Sequence, residues 1–94
     1  MYRPLSECLT IKESGIEGLG LFTTIDLPQR MTLGRSHIKV GNEIVRTPLG
    51  GFYNHSDTPN CYKLESSEEY WLVTLRKIKA GEEITVKYTL YEVK

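Results

Sequence analysis

The sequence predicts a mostly β chain. Three observations carry that prediction. Apolar and polar residues alternate over short runs, Gly, Pro, Asn and Asp punctuate those runs, and no stretch keeps the apolar spacing of a helix for longer than a turn. With 94 residues the chain is expected to be one domain over 1–94, a size at which roughly 60% of the unfolded surface is buried. Apolar residues at 39% and charged residues at 26% are ordinary globular values, which excludes a disordered chain or a fibrous repeat.

The expected strands follow in order. Leu9–Lys12 and Leu19–Thr23 alternate, and the second is preceded and entered by Gly15, Gly18 and Gly20. Thr32–Gly34, Ile38–Val40 and Glu43–Arg46 come next; Gly41-Asn42 separates the last two, a two-residue link whose positive φ suits a tight hairpin. Residues 50–61, "GGFYNHSDTPNC", are too polar for a buried strand and too poor in helix formers for a helix, so they read as a structured loop. Tyr62–Glu65 and Tyr70–Arg76 form a second, looser hairpin through "ESSEEY", whose glutamates read as a solvated turn or as bait for a basic partner. The near-continuous apolar run of "YWLVTLRKI" predicts a central strand covered on both faces, with Trp71 in the core. A turn at Lys79-Ala80-Gly81 then delivers a last strand, Glu83–Tyr88.

Composition narrows the function. Twelve basic residues balance twelve acidic ones, so the whole-chain basic footprint of a nucleic-acid binder is absent and no nucleic-acid partner is expected. No apolar run approaches a membrane span and "MYRPLSECLT" lacks a signal-peptide core, so a soluble, cytoplasmic protein is expected. Cys8 and Cys61 are too few for a zinc site and are expected to be reduced, structural thiols; His37, His55 and Cys61 lack zinc-like spacing.

Three segments could carry chemistry. In "ESGIEGLGLFTTI" the glycines either bulge the start of a strand or let a ligand approach the backbone; no dinucleotide fingerprint is present. Asn54-His55-Ser56 either ties down a tight turn or presents polar groups to a ligand. Adjacent His55 and Ser56 point apart and lack a third triad member, which argues against nucleophilic catalysis. In "IKAGEEITVKYTLY" Tyr88 ends a strand, where a phenol either packs or hydrogen-bonds in a reaction.

The order of these segments, "GLGLF", "NHSDTPNC" and "AGEEITVKY", resembles that of the SET-domain protein lysine methyltransferases, over roughly Ile11 to Tyr91. The resemblance implies a SET-type β-clip of several small curled sheets, with a knot-like C-terminal crossing under the Asn-His-Ser loop. It further implies transfer of a methyl group from S-adenosylmethionine to a lysine side chain of a protein or peptide. By that likeness Asn54 and the His55 backbone hold the cofactor's amino-acid part, the backbone of Gly18, Leu19 and Gly20 takes it from the other side, and Tyr88 is the catalytic tyrosine. Tyr53, Tyr62 and Tyr91 are the candidate walls of the substrate channel.

The chain also departs from the family pattern. Asp57 stands where zinc-bearing relatives have cysteine, so no zinc is expected. The insert before the Asn-His-Ser loop and the segment after Tyr88 are short, and a homodimer, as in minimal viral members, would cover the open face. The alternative reading is a non-catalytic β-clip that serves as an interaction module; a nucleic-acid-binding β-barrel would require a basic face.

Overall fold

In a computed structural model, which describes residues 7–87, the chain is built almost wholly from strands. β1 (Leu9–Glu13) and β2 (Leu19–Thr23) form an antiparallel two-stranded sheet of their own. β3 (Thr32–Val40), β4 (Glu43–Arg46), β5 (Asn54–His55), β6 (Cys61–Glu65), β7 (Glu69–Thr74) and β8 (Thr85–Val86) make a six-stranded sheet in the order β4-β3-β7-β6-β8-β5. The one helical element among the described residues is a turn of 3-10 helix over Leu49–Gly51.

The expected tight hairpin joins β3 to β4. Val40 pairs with Glu43, and Gly41 at φ 61° supplies the left-handed backbone that a two-residue link needs. Two expected strand boundaries are corrected. The segments 32–34 and 38–40 belong to one strand, because β3 absorbs the broken alternation of "GRSH" in register shifts between Thr32 and Gly34 and between Arg35 and His37. The expected strand from Glu83 to Tyr88 shortens to Thr85–Val86, with Glu83 held in an isolated bridge to Phe22; Tyr88 lies outside the described residues. The C-terminal crossing also falls on residues from 88 onward, outside that range.

Residues 78–84 tie the two sheets together. The Leu27 and Ile78 amides donate to each other's carbonyls at 2.7 and 3.0 Å, and the Ile84 amide donates to the Leu21 carbonyl at 2.7 Å. Leu21, Leu27, Ile78 and Ile84 are thereby removed from water. Each such side chain contributes about 1.5–3 kcal/mol. Leu72, Cys61 and Val86 extend the same core under the larger sheet.

β7 lies between β3 and β6, as the apolar run predicts, but it is covered on both faces only over Leu72–Thr74. Trp71 is half-buried and not a core residue: its register partner Leu64, and Val40 and Val45 on β3 and β4, are exposed on the same face of the sheet. The "ESSEEY" turn is solvated and also paired to β3, with Glu65 accepting from Lys39 at 2.6 Å and Glu69 from Arg35 at 3.2 Å.

Candidate functional site

The hairpin loop between β1 and β2 is shaped by Ser14. Its amide donates to the Gly18 carbonyl at 2.8 Å, and its hydroxyl accepts from the Ile16 and Glu17 amides at 2.9 and 3.3 Å. Gly18 takes φ 49° at the end of this loop, and Leu19 beside it is 53% exposed. Gly20 is buried, and the Glu83 carboxylate fills the space where a side chain would stand; a larger residue there would make the carboxylate swing aside.

β5 brings the Asn-His-Ser segment to this loop. β5 pairs in parallel with β8, Asn54 against Thr85 and His55 against Val86, and the Ser56 amide donates to the Val86 carbonyl at 3.2 Å. The Asn54 amide nitrogen then lies 2.8 Å from a Glu83 carboxylate oxygen, 3.1 Å from the Ser14 hydroxyl, and 3.2 and 3.3 Å from the carbonyls of Glu17 and Leu19. The Ser14 hydroxyl lies within donating distance of both Glu83 oxygens, at 2.7 and 2.8 Å. Glycine loop, Asn54 and Glu83 thus form one polar cluster at the junction of the two sheets.

Asn60 anchors the Glu83 end of the cluster. It is 3% exposed; its amide nitrogen donates to the Glu83 carbonyl at 2.7 Å, and its side-chain oxygen accepts from the Thr85 amide at 2.9 Å. Ser14, Asn60 and Glu83 are missing from the sequence-predicted site. Asn60 and Glu83 lie inside the quoted motifs, and their side chains carry the tertiary bonds that motif order alone does not reveal. Ser14 leaves only a weak local signal, a serine opening a glycine-containing turn.

The remaining expected residues are dispersed. The His55 ring turns away to Asp57, 3.1 Å distant, which leaves its backbone facing β8. Tyr53 is 6% exposed and part of the hydrophobic core. Tyr62 is half-buried and lines a cleft of about 330 Å³ with Pro59, Tyr70, Leu75, Val86 and Lys87. Lys63, also in that cleft, holds its ammonium 5.2 Å from the Tyr70 ring centroid, and the Lys39 ammonium lies 5.1 Å from the same centroid. Burial lowers the pKa of Lys63 and raises that of Cys61 to about 12, so Cys61 stays a protonated thiol. Tyr88 and Tyr91 lie outside the described residues. Among the described residues no three His, Cys, Asp or Glu side chains are grouped to hold a metal, and no helix is long and apolar enough to cross a membrane.

The model of the SET domain family matches residues 22–89. The chain belongs to the SET-domain family. That match contains Asn54, Asn60, Glu83 and Tyr88, while the glycine loop precedes it. No curated protein sequence matches the chain. Among solved structures, a candidate histone methyltransferase of Plasmodium falciparum is similar at 19% identity, with a TM-score of 0.76 over 96% of this chain and 100% of that one. The methyltransferase domain of human PR domain-containing protein 2 is similar at 16% identity, with a TM-score of 0.75 over 90% of this chain and 79% of that one. At these identities the likeness is one of fold. The curled sheets described above are accordingly the β architecture of a SET domain.

Proposed function

We propose that this SET domain is a methyltransferase that uses S-adenosylmethionine to methylate a lysine side chain of a protein or peptide. The observation that carries the reading is the approach of the Asn54 amide to the Leu19 carbonyl and the Glu83 carboxylate, which unites the glycine loop and the Asn-His-Ser segment in one cluster.

The donor set suits the amino-acid part of the cofactor. Backbone carbonyls accept from an ammonium, and the Asn54 amide donates to a carboxylate. Exposed Gly18 and Leu19 leave their backbone open to a ligand. When bound, the cofactor supplies a methyl group activated on a sulfonium. Asn54 and the Gly18–Gly20 backbone hold and orient it, which is the main contribution the chain can make to an in-line displacement. Tyr88, two positions beyond β8 in the sequence, orients the acceptor nitrogen through its hydroxyl. An acceptor lysine titrates near 10.4 in water, and burial among aromatic walls, of which Tyr62 is one candidate, favours the neutral amine.

Calorimetric titration with S-adenosylmethionine tests this. Saturable binding to the wild type, weakened at least tenfold in Asn54→Ala, is the expected result. A folded wild-type protein that binds no cofactor would overturn the reading in favour of an interaction module.

A further inference from the structure

The polar cluster holds more acceptors than its own donors can use. The Asn54 amide carries two hydrogens, yet four acceptors lie within 3.3 Å of its nitrogen: the Glu83 carboxylate, the Ser14 hydroxyl and the carbonyls of Glu17 and Leu19. One of the four bears a full negative charge. Three other carboxylates on the larger sheet and the turn beyond it have cationic partners: Glu65 has Lys39, Glu69 has Arg35 and Glu82 has Arg76. Among the described residues no lysine or arginine pairs with Glu83, whose contacts are to the neutral Ser14 and Asn54. A half-buried carboxylate with only neutral donors, sharing the Asn54 amide with two backbone carbonyls whose second lone pairs stay available, favours a small cation with several hydrogens beside it.

We infer that Glu83, together with the Glu17 and Leu19 carbonyls, receives a primary ammonium group of the bound ligand, making Glu83 a specificity-determining residue for the amino-acid tail of the cofactor. The inference rests on the cofactor reading above and adds a residue to it. Ser14 and Asn54 position the carboxylate, and Asn60 holds the backbone from which it projects. Gly20 leaves the space that the carboxylate occupies.

The test compares two nucleosides on the full chain by calorimetry or competition. S-adenosylhomocysteine keeps the amino-acid tail, and 5′-methylthioadenosine lacks it. Glu83→Gln, which preserves shape and removes the charge, is expected to weaken S-adenosylhomocysteine at least tenfold, about 1.4 kcal/mol, and to leave 5′-methylthioadenosine within twofold of wild type. Equal weakening of both would mean that Glu83 only shapes the pocket, and unchanged binding of both would remove it from the site; either result overturns the inference while leaving the cofactor reading intact. Should Glu83→Gln fail to fold, the wild type is compared on S-adenosylhomocysteine and its analogue with the α-amino group replaced by hydrogen. A tenfold preference for the amine supports the inference and equal affinity overturns it. A wild type that binds neither nucleoside overturns the cofactor reading itself.

Discussion

Replacing Asn60 by alanine should destabilise the chain by about 2–4 kcal/mol. The side chain is 3% exposed and makes two bonds across the fold, donating to the Glu83 carbonyl at 2.7 Å and accepting from the Thr85 amide at 2.9 Å. Truncation leaves both backbone groups without these partners, and a buried polar group stripped of its partner costs about 1–3 kcal/mol. Thr85 is buried, so its amide takes the upper part of that range; Glu83 is half-buried, where water can replace part of the lost bond. A domain of this size has a total stability of about 5–15 kcal/mol, so the loss is a large share of it. With an unfolding entropy of about 2.1 cal/mol/K per residue, the same loss lowers Tm by roughly 10–20 °C. Urea denaturation measures it directly, with the midpoint expected to fall at an unchanged slope. Cofactor binding should weaken in parallel, because Glu83 hangs from the same anchor. A loss below about 1 kcal/mol would show that water or a backbone shift satisfies both groups and that Asn60 does not anchor the Glu83 end of the cluster.

His37 makes stability fall in mildly acidic solution. Burial, with lesser contributions from Lys63 and Arg46, lowers its pKa from 6.5 to about 4. The unfolded chain therefore binds the proton first, and stability present above pH 6.5 declines as the pH drops toward 4, by about 2–3 kcal/mol in all. Urea midpoints for His37→Asn should be flatter than wild type across that window; parallel profiles would exclude His37 as the cause. For Tyr88→Phe, turnover on a peptide substrate should drop at least tenfold with S-adenosylmethionine affinity within twofold of wild type, and an unchanged turnover would withdraw the role assigned to the hydroxyl. Exposed Val40, Val45 and Leu64 on one sheet face support the proposed homodimer. Light scattering should give twice the chain mass for wild type and the monomer mass for Leu64→Glu; a monomeric wild type at working concentration would refute it.

Much of the fold was legible because strands announce themselves locally. Alternation located β1, β2, β4 and β6 to within a residue, and Gly41-Asn42 marked the β3–β4 hairpin. The failures have physical causes. β3 looks like two strands in sequence because its bulges break the two-residue period that marks a strand. "EEITVKY" alternates well enough to suggest a longer last strand, whereas the pairing available between β5 and β6 accommodates only Thr85–Val86. Trp71, expected in the core, is half-buried because an apolar run does not tell which of its two faces the fold will cover.

By itself, the sequence determined the strand-rich class, the places where the chain turns, and membership of the SET family through the order of three motifs. Those properties reside in neighbouring residues or in linear order. The tertiary structure decided what those motifs do to one another. Ser14 meets Glu83 across 69 positions, and Asn54 meets Ser14 and Glu83 across 40 and 29. None of these contacts follows from local periodicity. They exist because β5 and β8 pair in parallel and residues 78–84 return against β2, which sets one carboxylate among neutral donors at a single point.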